Sequence, residues 1–258
     1  MNLDTERWKA VLFDLDGVLT QTAKLHAAAW KEMFDAYLRE RGARTGEQFR
    51  EFDIATDYKR YIDGKLRQDG VRSFLASRGI QLPEGSPDDP PGRETIHGLG
   101  NRKNELVLQL IRTRGVDLYD SSIAWARWLK EHGVKTAVVS ASRNCRTVLE
   151  KTGIADLFDV VVDGEVAHEK GLAGKPSPAT FLEAARRLGV APEQAIVVED
   201  AVSGVEAGRR GGFGLVIGVD RKGDPEALRS AGAHLVVQDL AELISGNDSR
   251  RTMIDSDR

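Results

Sequence analysis

The pattern with the clearest chemical potential is an acidic pair, Asp14 and Asp16, which directly follows the short apolar run Ala10–Phe13 and precedes Gly17. If this run is a strand of a parallel α/β sheet, both acids lie at its carboxyl end, where such sheets bind ligands. Two carboxylates this close repel each other unless a cation or a shared proton relieves the repulsion. Taken alone, the motif is equally compatible with two solvated acids in a turn at Gly17.

A second acidic pair, Glu199 and Asp200, follows another apolar run, Ala195–Val198. Its alternative interpretation is the start of a helix, where backbone N–H groups stabilise acidic side chains. However, two strands that deliver four carboxylates to one sheet edge offer the oxygen ligands that Mg²⁺ prefers. The metal would offset the negative charge of the acids and of a bound phosphate. Together the two pairs predict a magnesium-dependent phosphoryl-transfer site.

Two further segments carry groups that can bind a phosphoryl group. Residues 140–144 (SASRN) place hydroxyls and free amides at the start of a predicted helix, a favourable position for an anion. Lys175, between a glycine and a proline, can neutralise phosphate and carboxylate charge. Each segment alone is also compatible with an ordinary helix cap or an exposed lysine. Their order along the chain and their shared position after predicted strands favour a single site.

The elements that must position these groups are short apolar runs rich in β-branched residues, typical of strands covered on both faces. We predict six strands: Ala10–Phe13, Lys135–Val139, Val160–Val162, Ala195–Val198, Leu215–Val219 and His234–Val237. From residue 120 onward they alternate with helical patterns that end in glycine, the expected C-cap. These predicted helices are Ser122–Glu131, Cys145–Lys151, Pro178–Leu188, Val202–Arg210 and Pro225–Ser230. The alternation predicts an α/β fold with a doubly wound, Rossmann-like parallel sheet.

The segment between the first strand and the others differs in texture, because it is rich in charge and shows no convincing strand. We predict three helices in it, His26–Arg41, Gly70–Ser77 and Arg102–Thr113, and a loop at Leu82–Gly92. The predicted organisation is a catalytic core of residues 1–23 and 114–245 with a helical insertion at 24–113. The polar residues 246–258 are expected to form a disordered tail.

The bulk composition is ordinary for a globular protein with a substantial core: 258 residues, 41% hydrophobic and 30% charged. A net charge of −3 gives no indication of a nucleic-acid or anionic-membrane partner. No window approaches the ~20 apolar residues that a membrane helix requires. Cys145 is the only cysteine, which excludes an intramolecular disulfide and favours a reducing compartment. We therefore expect a cytoplasmic protein with neither nucleic acid nor membrane as a partner.

Four segments, FDLDGVLT, SAS, GKPSP and VVEDAVSGVEAG, resemble in this order the four motifs of the haloacid dehalogenase superfamily of phosphatases and phosphomutases. The resemblance implies that Asp14 is the nucleophile that forms an aspartyl-phosphate, and that Asp16 is the general acid/base. Ser140 and Lys175 would hold the transferring phosphoryl group. The implied Mg²⁺ ligands are Asp14, Glu199, Asp200 and the backbone carbonyl of Asp16. The family also has a mobile helical cap after its first motif, which matches residues 24–113 and would exclude water on closing.

Within that superfamily the chain is most similar to the β-phosphoglucomutase family. Residues 20–23, with His26 and Trp30, resemble its first hinge and first cap helix, where His26 would restrain Asp16 until the cap closes. Arg67 is the implied clamp for a distal phosphate. The full set of implied substrate-binding residues is Gly17, Trp30, Arg67, Lys103, Asn104, Ala141, Ser142, Arg143 and Asn144. The sequence departs from the family at Gln21, where aspartate is common, and in the stretches 49–61 and 82–92.

Three functions remain open at this point. The first is an isomerase that converts β-glucose 1-phosphate to glucose 6-phosphate through glucose 1,6-bisphosphate. The second is a phosphatase for a sugar phosphate or another small phosphomonoester, which would share the same core motifs. The third is a non-catalytic phosphosugar sensor, which the complete set of acids and Lys175 disfavours. In each case we expect a monomer whose ligand is a small phosphorylated sugar.

Overall fold

The computed structural model describes residues 3–244, which fall into two compact units. One is formed by the chain up to Gln21 together with the chain from Asp117 onward, and the other is Thr22–Val116. We refer to them as the sheet unit and the helical unit. The predicted disordered tail, residues 246–258, lies outside the described residues. The assignment of residues 24–113 as a cap domain stays a prediction.

The sheet unit is built on one sheet whose neighbouring strands are all parallel. The strands are β1 (Ala10–Phe13), β2 (Lys135–Val139), β3 (Val160–Val162), β4 (Ala195–Glu199), β5 (Leu215–Val219) and β6 (Leu235–Val237). Their order in the sheet is β3-β2-β1-β4-β5-β6. The predicted α/β parallel-sheet fold is confirmed. Because β1 lies beside β4, with Phe13 paired to Val198, the two acidic pairs leave the sheet side by side.

Two strands differ by one residue from the prediction. β4 continues to Glu199, because Glu199 still pairs with Gly218 of β5. β6 begins one residue late, at Leu235 rather than His234. The imidazole of His234 explains this difference, since its Nδ1 accepts the N–H of Val216 at 2.8 Å. The ring nitrogen thus accepts the N–H that a backbone carbonyl accepts in a regular pair of strands.

Ten α-helices are described within residues 3–244: α1 (Ala23–Thr45), α2 (Arg67–Ser77), α3 (Ile96–Arg114), α4 (Asp120–Glu131), α5 (Cys145–Lys151), α6 (Gly164–Glu169), α7 (Ala179–Leu188), α8 (Val202–Arg210), α9 (Pro225–Ser230) and α10 (Ala241–Ile244). The short helices α6 and α10 were not among the predicted ones. The side chain of Asp163 caps α6 by accepting the N–H of Val166 at 2.9 Å.

The core of the sheet unit lies on both faces of the sheet, as the continuously apolar strands require. On one face, Leu12 of β1 and Val197 of β4 belong to a buried cluster with Phe181 of α7. On the other face, the Phe13 ring meets Trp125 of α4 edge to face, with centroids 5.6 Å apart. Alternate residues of β1 therefore pack in opposite directions. This double covering leaves the carboxyl ends of the strands as the place for polar chemistry.

The helical unit packs α1, α2 and α3 around an aromatic cluster, and no strand occurs in Thr22–Val116. Phe34 lies at the centre, with ring centroids 4.2 Å from Phe74, 5.3 Å from Phe52 and 5.2 Å from Trp30. A nine-residue π-helical stretch, Ile54–Ile62, occupies most of the atypical region 49–61. Leu82–Gly92 contains no helix or strand, as predicted.

α3 begins six residues earlier than predicted, because glycines near its start hid the helical pattern. Thr95 caps this end by accepting the N–H of Gly98 at 2.9 Å. A β-carbon at Gly98 would overlap the carbonyl of Arg93, and one at Gly100 would lie 3.2 Å from Cδ of Arg67. The glycines are required for close approach of neighbouring chain, which outweighs their poor helix propensity.

Candidate active site

Asp14 stands one residue beyond the end of β1. Its backbone N–H donates to the carbonyl of Val198 at 2.9 Å, which continues the hydrogen bonding of the sheet. Its side chain is buried, with 7% of the residue exposed. The sheet therefore fixes the backbone of Asp14 and presents its carboxylate at the strand end.

The chain turns sharply after Asp14. Gly17 has a φ of 98°, in the left-handed region that glycine adopts without a steric penalty. Its N–H donates to the carbonyl of Thr20 at 2.7 Å, and Thr20 Oγ1 donates to the carbonyl of Leu15 at 3.1 Å. A β-carbon at Gly17 would overlap the carboxylate of Asp200. Glycine is thus needed both for the turn and for the approach of the second acidic pair.

The second pair, Glu199 and Asp200, is buried at the carboxyl end of β4. Glu199 Oε2 accepts the N–H of Ala201 at 3.0 Å. A β-carbon at Gly204, in the first turn of α8, would overlap the Glu199 carboxylate. The alternative interpretation of these acids as a plain helix cap is incomplete, because the Glu199 carboxylate also faces the first acidic pair.

Asp14, Glu199 and Asp200 form the acidic cluster of this protein. Each offers one carboxylate oxygen, and these oxygens lie within 4.8 Å of one another. Three buried anions in one place are strongly unfavourable unless cations compensate them. Hard oxygen donors in this number fit Mg²⁺, which takes its remaining ligands from water or substrate. The predicted fourth protein ligand, the backbone carbonyl of Asp16, stays a prediction.

Lys175 supplies a cation directly to the acidic cluster. Its Nζ lies 2.5 Å from Asp14 Oδ1, contacts Glu199 Oε1, and donates to the carbonyl of Val139 at 3.3 Å. Burial lowers the pKa of Lys175, but the two carboxylates outweigh burial and raise the pKa overall. The ammonium is therefore charged at neutral pH. This is the position predicted for a lysine that neutralises carboxylate and phosphate charge.

The carboxyl group of Asp14 is strongly perturbed by its surroundings. Burial raises its pKa well above the usual range, Lys175 opposes the shift, and Glu199, Asp16 and Asp200 add to it. Since an adjacent cation favours the ionised form, a metal ion bound to the cluster would lower this pKa. A buried carboxyl poised in this way is typical of a functional group.

The segment 140–144 follows β2, whose last carbonyl, that of Val139, also accepts from Lys175. Ser140 is buried, and its Oγ accepts the N–H of Ser142 at 3.0 Å. Arg143 Nε lies 3.5 Å from Glu165 Oε1 of α6. The structure therefore places this segment and Lys175 at the same strand end, as the sequence analysis expects. The phosphate-binding roles of residues 140–144 stay predictions.

Two basic residues at this site were missed by the sequence analysis. Lys222 Nζ lies 3.3 Å from Asp200 Oδ2, and Arg221 Nε donates to the carbonyl of Gly17 at 2.9 Å. Both residues follow β5, so their position just beyond a strand end was the one sequence signal that could have found them.

The helical unit brings several predicted substrate-binding residues together. The buried Lys103 Nζ lies 3.0 Å from Nδ1 of His26 and 5.0 Å from the ring centroid of Trp30. The face of the Trp30 ring stabilises a buried ammonium. Arg67 Nη1 lies 3.4 Å from Oδ1 of Asn101. Asn104 lies on α3, one residue after Lys103. The roles of these residues in substrate binding stay predictions.

The fold and the acidic cluster define a doubly wound α/β protein with a buried carboxylate centre at the carboxyl ends of its strands. A family model described as haloacid dehalogenase-like hydrolase matches residues 8–212. Within residues 3–244, no helix is both long and apolar enough to cross a membrane.

Curated relatives extend this match over nearly the whole chain. A protein of Mycobacterium bovis named beta-phosphoglucomutase is 53% identical over 93% of this chain and 92% of its own length. One of the same name from Bacillus subtilis is 31% identical, and the match covers 91% of each. The crystal structure of beta-phosphoglucomutase from Clostridium difficile aligns with a TM-score of 0.73 at 25% identity, covering 96% of this chain and 97% of that one. The chain belongs to the haloacid dehalogenase-like hydrolase family.

Proposed function

We propose that this protein is a Mg²⁺-dependent phosphomutase that converts β-glucose 1-phosphate to glucose 6-phosphate through glucose 1,6-bisphosphate. The observation that carries phosphoryl transfer is the buried Asp14 carboxylate, in contact with Lys175 and clustered with Glu199 and Asp200. The identity to relatives named beta-phosphoglucomutase supports the choice of a sugar phosphate and of isomerisation. The expected cytoplasmic location and monomeric state stay predictions.

The chemistry assigned to Asp14 and Asp16 consists of two transfers. In the first, an Asp14 oxygen bonds to phosphorus, the bond from phosphorus to the sugar oxygen breaks, and Asp16 gives that oxygen a proton. The donor in this first transfer is glucose 1,6-bisphosphate, which leaves as glucose 6-phosphate once its 1-phosphoryl group is on Asp14. In the second transfer, ionised Asp16 takes a proton from the 6-hydroxyl of β-glucose 1-phosphate, so the product is again the bisphosphate. That hydroxyl oxygen then bonds to phosphorus as the acyl-phosphate bond breaks, which restores the Asp14 carboxylate.

The remaining residues of the sheet unit bind and orient the transferring group in this proposal. Lys175 and the Ser140 hydroxyl hold phosphoryl oxygens, and residues 141–144 contribute further donors. Mg²⁺, held by the acidic cluster, would neutralise charge that develops on those oxygens. Lys175 contacts two carboxylates at once, so it holds the Asp14 side chain in place before substrate binds.

The helical unit is proposed to recognise the rest of the bisphosphate. Arg67 binds the phosphate that is not being transferred, because a planar guanidinium can bind phosphate oxygens through two donors. Lys103, Asn104 and Trp30 contact the sugar phosphate. His26 restrains Asp16 until the cap closes. A mutase must also keep water from the aspartyl-phosphate, which a phosphatase must admit.

A phosphatase is the second candidate function, favoured by the family description as a hydrolase. The deciding experiment supplies the purified protein with Mg²⁺ and β-glucose 1-phosphate, with and without a trace of glucose 1,6-bisphosphate. A coupled dehydrogenase follows glucose 6-phosphate, and free phosphate is measured in parallel. Isomerisation that depends on the bisphosphate, with little phosphate release, is the expected result. Phosphate release without isomerisation would assign the chain to the phosphatases.

The nucleophile has its own matched pair of variants. Asp14→Asn is expected to abolish both isomerisation and phosphate release, because an amide cannot form the acyl-phosphate. Asp156→Asn changes an exposed aspartate of the sheet unit and is expected to retain wild-type turnover. Turnover near wild type in Asp14→Asn would refute the assigned nucleophile.

A further inference from the structure

Arg221, which no sequence motif indicated, makes four contacts next to the active site. Its Nε donates to the carbonyl of Gly17 at 2.9 Å. Its Nη1 donates to the carbonyl of Gln238 at 2.8 Å and to Asp239 Oδ2 at 3.2 Å. The guanidinium also lies 3.7 Å from the ring centroid of Tyr119. A planar group held by a ring below and acceptors on two sides has one orientation, which a flexible lysine amine would not reproduce.

The group that Arg221 holds is the turn that begins at Asp16. The Gly17 carbonyl belongs to the peptide between Gly17 and Val18, one residue after Asp16, and isolated bridges pair Asp16 with Thr20 and Thr20 with Leu118 in this turn. On its other side the turn is tied by the N–H of Tyr119, which donates to the carbonyl of Leu19 at 3.0 Å. Arg221 and Tyr119 therefore fix the turn together, while contacting each other.

Arg221 is one of three cationic residues next to the two acidic pairs. Its neighbour Lys222 pairs with Asp200, so the loop after β5 brings two cations to the two acidic pairs. With Lys175, three cations face the four carboxylates of Asp14, Asp16 and the second pair. Lys175 and Lys222 each contact a carboxylate of the acidic cluster, whereas Arg221 contacts the backbone carbonyl of Gly17. This contact determines geometry more directly than it neutralises a carboxylate.

We propose that Arg221 is a positioning residue for phosphoryl transfer: it holds the Asp16–Thr20 turn, and so keeps the Asp16 carboxyl aligned for proton transfer. This inference rests on the proposed role of Asp16 as the general acid/base. It predicts that the loss of Arg221 lowers the rate of reactions in which a proton must be delivered to a poor leaving group. Reactions whose leaving group needs no proton depend far less on Arg221.

The test compares two substrates in Arg221→Met: an alkyl sugar phosphate and an aryl phosphate with a good leaving group, both with Mg²⁺. General acid catalysis is worth about 10²–10⁴-fold, so a misaligned Asp16 should lower kcat for the sugar phosphate by at least about tenfold. For the aryl phosphate, the pre-steady-state burst of the leaving group reports the first transfer alone, and its rate should change by less than about threefold, since Asp14 and Lys175 are untouched. Equal losses on both substrates would overturn the positioning role.

Two further variants separate geometry from charge and from stability. Arg221→Lys keeps the charge but not the two-sided contact, and is expected to resemble Arg221→Met on the sugar phosphate. Full recovery by Arg221→Lys would assign the effect to charge and overturn the proposal. Asp239→Asn removes the carboxylate that pairs with Nη1 but leaves the Gly17 contact, so it should retain the wild-type ratio between the two substrates.

Hydrogen exchange tests the same inference without any substrate. The amides of Gly17, Leu19 and Thr20 all donate within the turn. Arg221→Met should raise their exchange rates, and Asp239→Asn should leave these rates near wild type. Unchanged exchange in Arg221→Met would overturn the proposal even if every enzymatic assignment is correct. Raised exchange in a protein without phosphoryl-transfer activity would refute the proposed function and confirm the hold on the turn.

Discussion

Lys175 is expected to stabilise the folded sheet unit as well as to serve catalysis, and Lys175→Met tests this. Its Nζ contacts Asp14 and Glu199, and no side chain of the three is more than 9% exposed. Removal of one partner from a buried ion pair leaves an uncompensated charge and costs about 3–5 kcal/mol. The midpoint of a domain of this size shifts by about 2–4 °C per kcal/mol, so thermal unfolding in EDTA should begin roughly 6–20 °C lower.

The pH dependence of this loss follows from the carboxyl that stays behind. Burial already raises the pKa of Asp14, and Lys175 opposes that shift. Without the lysine, the pKa of Asp14 in the folded protein rises further above its value in the unfolded chain. The folded form then retains a proton that the unfolded form releases, so stability falls as pH rises through the folded-state pKa. The difference between wild type and Lys175→Met should therefore grow from acidic to neutral pH.

The assay is thermal unfolding of both proteins over a pH series, first in EDTA and then with Mg²⁺. A ligand at 100 times its dissociation constant stabilises by about 2.7 kcal/mol, and Mg²⁺ should stabilise Lys175→Met by at least as much as wild type. Lys151→Met, at an exposed lysine of α5, should unfold like wild type in every condition. Equal midpoints for wild type and Lys175→Met in EDTA, or a larger difference at acidic pH, would refute this account of the acidic cluster.

Two further substitutions test the packing of the site and the helical unit. Gly204→Ala places a β-carbon against the Glu199 carboxylate. The overpacking should destabilise the fold by about 1–3 kcal/mol and weaken Mg²⁺ binding measured by calorimetry. Gly92→Ala is the control, because nothing lies within 4 Å of a β-carbon at that position. Arg67→Ala should lower kcat/KM for the bisphosphate by about 1.5–3 kcal/mol but leave hydrolysis of an aryl phosphate near wild type; the exposed Arg112→Ala is its control, and equal losses on both substrates would remove Arg67 as the clamp.

The sheet was predictable because its strands are short and mostly apolar and, from residue 120 onward, alternate with helical patterns that end at a glycine. Four of the six strands have the predicted bounds, and the exceptions at Glu199 and His234 arise from contacts made across strands. No single-sequence pattern reports such contacts. The same limit hid the start of α3, where Gly98 and Gly100 look unfavourable for a helix until Arg93 and Arg67 are seen against them.

The acidic cluster was predictable for a different reason, which is that its parts are local in sequence. Asp14 and Glu199 each end a strand, and strands in the middle of a parallel sheet bring their carboxyl ends together. Arg221 and Lys222 also follow a strand, but nothing in a stretch of arginine, lysine and glycine distinguishes an active-site loop from an exposed one. Their role depends on the position of β5 next to β4, which only the sheet order reveals.

The glycines of the two acidic motifs are explained by the same constraint that makes the carboxylates expensive to bury. Carboxylates can share a cation only if they lie a few ångströms apart, so the backbone next to them must carry no side chain where they meet. Gly17 has no β-carbon where the Asp200 carboxylate approaches it, and Gly204 has none where the Glu199 carboxylate approaches it. Gly17 therefore marks the approach of an acid from another strand, whereas Gly204 leaves room for the acid of its own motif. The turn alone would require Gly17, whose φ is 98°. The contacts of Gly17 with Asp200 and of Gly204 with Glu199 arise only when both carboxylates are buried, so two motifs that are each ambiguous alone become specific together.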